Sequence, residues 1–182
     1  MTDLTWPYVI GNFTGSGRLD IATGNSTLLN MGGRTFQEVV GNTLPLTYGT
    51  LALVGDFNGD GKDDVAINFA GEPTIEIFYS NGDGTFYEGT VLDPGLMPGD
   101  FVVGDFNGDG RVDLAVGSAL SYQVCMFFNS GNGQFTRSFF SSGAFLAPII
   151  AFDLNRNSKL DLVIANYDFD FLPFNVNVVF HK

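Results

Sequence analysis

Hydrophobic positions along this chain come in short extended runs, interrupted by clusters of Gly, Asp and Asn. Val9-Ile10, Val65-Ala66-Ile67, Leu114-Ala115 and Leu162-Val163 are such runs, as are the stretches Ile75–Ser80 and Val124–Asn129. Between them stand clusters such as Asp56-Phe57-Asn58-Gly59-Asp60-Gly61 and Asn81-Gly82-Asp83-Gly84. Runs of this length, bounded by turn residues, predict an all-β chain of short strands.

The pattern repeats. An apolar strand, a polar loop and a second strand recur at Val9–Ala22, Val54–Ile67, Val103–Ala115 and Ala151–Val163. The first loop residue falls at Asn12, Asp56, Asp105 and Asp153, so successive units lie 44, 49 and 48 residues apart, within the range of repeat architectures. A Gly-rich turn follows at Asn81–Phe86 and at Ser130–Phe135, with a looser match at Gly32–Phe36; each reads as a hairpin turn. A full unit is therefore strand A, polar loop, strand B, B–C loop, strand C, Gly turn and strand D. Such a unit predicts one four-stranded antiparallel blade of a β-propeller. The repeats are placed at approximately 6–41, 50–92, 99–141 and 147–182, in a single propeller or partial propeller spanning 1–182. The fourth unit reaches His181-Lys182 before its Gly turn and last strand, so about three and three-quarter blades are expected.

Oxygen-bearing side chains stand at positions 1, 3, 5 and 9 of each loop, the pattern that lets a short stretch surround a hard cation such as calcium. The second loop presents Asp56, Asn58, Asp60 and Asp64, and the third Asp105, Asn107, Asp109 and Asp113. The fourth, Asp153, Asn155, Asn157 and Asp161, lacks one carboxylate and has Ser158 where Gly61 turns the second loop. The first, Asn12, Thr14, Ser16 and Asp20, retains a single carboxylate. Position 7, occupied by Arg18, Lys62, Arg111 and Lys159, would add its main-chain carbonyl. Its basic side chain reads either as a partial screen for the loop carboxylates or as a solvated group. Affinity in such loops follows ligand charge, so two good calcium sites, one weaker site and one weak or empty site are expected. An EF-hand shares these letters but requires an acidic ligand at position 12 and flanking helices. Here position 12 is Ile67, Val116 and Ile164 in the last three units, so that reading fails.

These residues resemble the FG-GAP/VCBS repeat family, the calcium-loop propellers of integrin α-subunit heads and many bacterial surface proteins. The most specific matches are Gly55–Asp64, Gly104–Asp113 and Asn81–Phe86. The resemblance implies metal loops on one face of the propeller, with ligands bound by the B–C and D–A loops of the opposite face. The metal reads as mainly structural, because three carboxylates in one turn repel each other unless a cation joins them.

Charge and composition narrow the partners. The formal net charge is −12, from 20 acidic and 8 basic residues, which disfavours nucleic acid and anionic membranes. Of the acids 16 are Asp and only 4 Glu, and Asp is a residue of turns and metal loops. No run is long enough to insert into a membrane, and the N-terminus lacks a signal-peptide pattern. An extracellular or cell-surface location would imply a longer precursor. Cys125 is the only cysteine and His181 the only histidine, far apart in sequence, so no Cys–His nucleophile is expected and no catalytic constellation is legible.

Phe13, Phe57, Phe106 and Leu154, at loop position 2, are expected to pack between blades, where Ala22, Ala66, Ala115 and Val163 would permit close approach. In the fourth unit the lengthened B–C stretch carries Tyr167, Asp168, Phe169, Phe171 and Phe174. It suits a protein or glycan ligand surface, since both stack on aromatics, and equally a cover for a sheet edge. Tyr48, Tyr122 and Glu88–Asp100 are secondary candidates. The expected function is extracellular recognition or adhesion without catalysis. The alternatives are a non-catalytic accessory domain of a secreted polysaccharide-degrading enzyme, or a structural propeller that dimerises to close its ring.

Overall fold

The computed structural model describes residues 8–41, 44–47, 50–95, 97–118, 121–141, 145–167 and 175–179. Sheet 1 contains β1 (Tyr8–Gly11), β2 (Asp20–Thr23), β3 (Ser26–Gly32) and β4 (Thr35–Val40). Sheet 2 contains β5 (Leu51–Gly55), β6 (Asp64–Asn68), β7 (Ile75–Ser80) and β8 (Phe86–Leu92). Sheet 3 contains β9 (Pro98–Gly104), β10 (Asp113–Ser118), β11 (Gln123–Gly131) and β12 (Gln134–Ser141). Sheet 4 contains β13 (Phe145–Phe152), β14 (Asp161–Tyr167) and β15 (Asn175–Val179).

Strands follow one another in chain order within each sheet, every neighbouring pair is antiparallel, and no helix occurs among the described residues. Consecutive repeat-built sheets of this kind are blades, and the fold is β-propeller-like. The register places each polar loop identically: Gly11 pairs with Asp20, Gly55 with Asp64, Gly104 with Asp113 and Phe152 with Asp161. The residue before position 1 thus always faces position 9. The middle strands β6 and β10 are buried along almost their whole length. Their apolar runs are therefore continuous, whereas the outer strands β4 and β12 are largely exposed and polar.

The chain divides into two compact units, Met1–Ala70 with Ile75–Leu92, and Gly71–Thr74 with Asp93–Lys182. In the first, sheets 1 and 2 share a core of Val9, Phe13, Ala22, Leu44, Leu46, Val65, Ile67, Phe78 and Phe86. Phe13, at position 2 of loop 1, meets Phe86 of the sheet 2 Gly turn edge-on, with ring centroids 5.1 Å apart. Burying one such ring contributes about 1.5–3 kcal/mol. Two polar ties join the same sheets. Ser80 Oγ donates to the Phe13 carbonyl at 2.6 Å, and Asp63 exchanges bonds with the Asn12 backbone, Asn12 N–H to Asp63 Oδ2 at 2.7 Å and Asp63 N–H to the Asn12 carbonyl at 3.1 Å.

In the second unit, sheets 3 and 4 enclose Phe106, Ala115, Val124, Met126, Ile149, Leu162 and Ile164. β9 and β13 lie side by side, and the Asp100 carboxylate accepts the Ile149 N–H at 3.2 Å. A Cβ at Gly104 would lie 2.3 Å from Leu160 Cδ1, so the Leu160 side chain would have to shift to admit one.

Phe13, Phe57 and Phe106 are buried, as the position 2 pattern predicts, but Leu154 is 45% exposed. Phe13 is covered by the Gly turn of the sheet that follows it, and among the described residues no such ring contact reaches Leu154. Ala22, Ala66 and Ala115 are fully buried, whereas Val163 is only partly so.

Candidate metal loops

Each polar loop is wound by its own side chains. In loop 2, Asp56 Oδ1 accepts the N–H groups of Gly59 at 2.7 Å and Asp60 at 3.1 Å, and its Oδ2 accepts that of Gly61 at 2.9 Å. Asn58 Oδ1 accepts the Asp60 N–H at 2.8 Å, and Asp60 Oδ1 that of Lys62 at 2.9 Å. Loop 3 repeats this pattern through Asp105, Asn107 and Asp109, and loop 4 through Asp153, Asn155 and Asn157.

The winding needs two residues at positive φ, at positions 4 and 6. They are Gly15 and Gly17, Gly59 and Gly61, Gly108 and Gly110. Loop 4 forces Arg156 (φ 62°) and Ser158 (φ 67°) into the same conformation, which L-residues adopt at about 1–2 kcal/mol each.

Position 9 is the hub that ties loop to sheet. The buried Asp64 accepts the Phe57 N–H at 3.0 Å on one oxygen and the Ser80 N–H, from the end of strand C, at 2.9 Å on the other. Asp113 does the same with Phe106 at 3.0 Å and Asn129 at 2.7 Å. Asp161 accepts Leu154 N–H at 3.0 Å, and Asp20 accepts Asn30 N–H at 2.8 Å. Burial, reinforced by repulsion from Asp60 and Asp56, pushes the Asp64 carboxyl up to about 7 against the pull of its two N–H donors. Burial raises Asp113 in the same way. Asp105 also meets a burial penalty, but the N–H groups of Gly110, Gly108, Asp109 and Asn107 outweigh it and hold its carboxyl low.

This donor set fits a hard cation. Loops 2 and 3 each bring three carboxylates and an amide oxygen to one turn, and the backbone donors on Asp56 Oδ2, Asn58 Oδ1 and Asp60 Oδ1 leave each oxygen lone-pair capacity. Among the described residues no group of three His, Cys, Asp or Glu side chains converges on one point, and N–H groups at the loop base hold the position 9 carboxylate. Loop 1 differs in kind. Its Thr14 hydroxyl lies 2.9 Å from Ser16 Oγ and 3.3 Å from Asp20 Oδ2, so hydroxyl hydrogen bonds span the turn.

Position 7 folds back on its loop. Lys62 Nζ lies 2.5 Å from Asp60 Oδ2, and Arg111 Nη2 2.5 Å from Asp109 Oδ2. Arg111 Nε also donates to the Asn129 carbonyl at 2.7 Å, as Arg18 Nε does to that of Asn30.

At the opposite end of sheet 1, a hollow of about 550 Å³ is lined by Thr23, Gly24, Asn25, Ser26 and Leu46. The turn is braced by Thr23 Oγ1, which donates to the Ser26 carbonyl at 3.0 Å and accepts from the Asn25 and Ser26 N–H groups. Of the aromatic stretch expected to bind ligand, Tyr167 ends β14, while Asp168, Phe169, Phe171 and Phe174 lie outside the described residues, as does Tyr48. Tyr122 is exposed at φ 54° beside β11.

Sequence reasoning missed the hollow, the position 4 turn and Asp63. Only the second left a signal, in the paired glycines of loops 1 to 3. The family model described as FG-GAP-like repeat matches residues 56–116 and 105–164. No curated protein matches the chain.

Proposed function

The chain belongs to the FG-GAP-like repeat family, and from that premise we propose that it is a calcium-stabilised recognition module acting outside the cell, without catalysis. One observation carries the calcium reading: loops 2 and 3 present complete oxygen sets on turns already wound by their own side chains. Asp56, Asn58, Asp60, Asp64 and the Lys62 carbonyl would hold one ion, and Asp105, Asn107, Asp109, Asp113 and the Arg111 carbonyl another. The ion supplies charge neutralisation at the base of each hairpin. Recognition of a protein or glycan is assigned to the loops away from the metal, where the Thr23–Ser26 turn and Leu46 form a hollow. Calorimetric titration should find two calcium ions per chain at micromolar to millimolar concentration. Loss of heat in both D56N/D60N and D105N/D109N variants relative to the parent would confirm the assignment, and a parent chain that takes up no calcium would sink it.

Self-association is a second reading, favoured by the exposed ends of the repeat. Leu19 and Phe36 of sheet 1 are 59% and 49% exposed, and Phe152 and Leu154 of sheet 4 are 63% and 45% exposed. In sheet 2 the equivalents of Leu19 and Phe36 are Asp63 and Phe86, which face sheet 1. Head-to-tail contact between copies would cover both faces. Light scattering in millimolar calcium tests this, with a monomer at all concentrations as the outcome against it.

A further inference from the structure

In loops 2 and 3 the position 5 carboxylate oxygen that points away from the backbone is already taken. Asp60 Oδ2 receives the Lys62 ammonium at 2.5 Å and the Asn58 amide at 3.2 Å. Asp109 Oδ2 receives the Arg111 guanidinium at 2.5 Å and the Asn107 amide at 3.1 Å.

The two cations are also held from behind. The Lys62 stem runs past Gly15 and Gly82, whose added Cβ atoms would lie 3.2 and 3.0 Å from it. Arg111 is fixed by Nε to the Asn129 carbonyl at 2.7 Å. Loop 1 gives the contrast: Ser16 replaces the carboxylate at position 5, and among the described residues the Arg18 side chain reaches only the strand C carbonyl of Asn30.

We propose that Lys62 and Arg111 are tethered counterions that compete with calcium for the position 5 carboxylate, lowering calcium affinity while keeping the metal-free loops closed. The inference rests on the calcium reading above. It also separates two loops whose ligands are identical. Arg111 is anchored by a hydrogen bond at a second point and presents a rigid fork, whereas Lys62 is held behind its ammonium only by packing of its stem, so loop 3 binds calcium more weakly than loop 2.

The test uses the full chain in two backgrounds: D105N/D109N reports loop 2 alone, and D56N/D60N reports loop 3 alone. Calcium is titrated calorimetrically, and melting is followed in chelator as a readout without metal. Removing the cation with K62M or K62Q in the first background, or R111M in the second, should tighten calcium binding about two- to fivefold, the worth of an exposed ion pair. The same variants should lower the metal-free melting midpoint, by about 1–3 °C. R111K, which loses the Asn129 anchor but keeps the charge, should fall between parent and R111M. Unchanged or weaker calcium affinity in the Met and Gln variants would overturn the counterion role while leaving the calcium reading standing. No calcium uptake in either parent background would overturn both.

Discussion

Residue by residue, the loops carry charges that the fold itself leaves strained, and this gives metal-free protein a distinctive pH response. The Asp64 carboxyl sits at about 7 in the folded chain, against an ordinary value of 3.8. A raised carboxyl contributes stability that is complete below the unfolded value and is lost as pH rises through the folded one. Asp113 shifts in the same direction, while Asp60, Asp83 and Asp105 shift down and so act below the window between about 4 and 7. In chelator, the melting midpoint should therefore be higher at pH 5 than at pH 8. Saturating calcium should reverse that order, because the ion requires the ionised carboxylate. A metal-free midpoint that rises steadily from pH 5 to 8 would contradict the placement of Asp64. The sequence identified every position 9 aspartate but not its burial, since nothing local says that Ser80 or Asn129 will donate to it. Loop 4 offers a second residue-scale test. Arg156→Gly and Ser158→Gly each relieve a left-handed φ and should each stabilise the protein by about 1 kcal/mol, offset in part by glycine's entropy in the unfolded chain; chemical denaturation with and without each change measures it.

Among elements, the hairpin formed by strand A, loop and strand B was fully legible, because both its ends are written into the repeat: a Gly or Phe before position 1 and an Asp at position 9. How one sheet packs on the next was only half legible. The repeating Phe at position 2 announced a contact, yet its partner, Phe86, lies in the next unit's Gly turn and is invisible from the loop itself. Leu154 shows the limit of the pattern, since periodicity records where a side chain stands and not whether a neighbour arrives to cover it. The contrast predicts unequal costs. Phe13→Ala removes a fully buried ring from the sheet 1–sheet 2 core and should destabilise by about 3–5 kcal/mol. Leu154→Ala, at a half-open site, should cost less than about 1 kcal/mol. Urea midpoints of the two variants decide this, and equal losses would mean that Leu154 is covered in solution, as self-association requires.

For the molecule as a whole, fold class and repeat were legible in the sequence because they depend on periodic local signals, whereas the proposed ligand surface depends on which loops meet at the far end of a sheet. The Thr23–Ser26 hollow arises from a polar turn and Leu46 of a distant connector, a pairing that no spacing encodes. The proposed calcium sites are where local and global behaviour meet. Each compact unit carries one complete loop, loop 2 in the first and loop 3 in the second. A site whose dissociation constant lies tenfold below free calcium adds about 1.4 kcal/mol to stability, and in a chain of this size each kcal/mol moves the midpoint by about 2–4 °C. Chelation should therefore lower the melting midpoint by about 6–11 °C if both sites contribute. The two loops share no ligand, so their contributions should add: D60N or D109N alone should remove about half of the calcium-induced shift, and the pair together nearly all of it. Scanning calorimetry of the four proteins, each with calcium and with chelator, reads this directly. A single substitution that abolishes the entire shift would mean that the two loops fill as one cooperative site, and a parent midpoint indifferent to chelation would remove calcium from the stability of this fold.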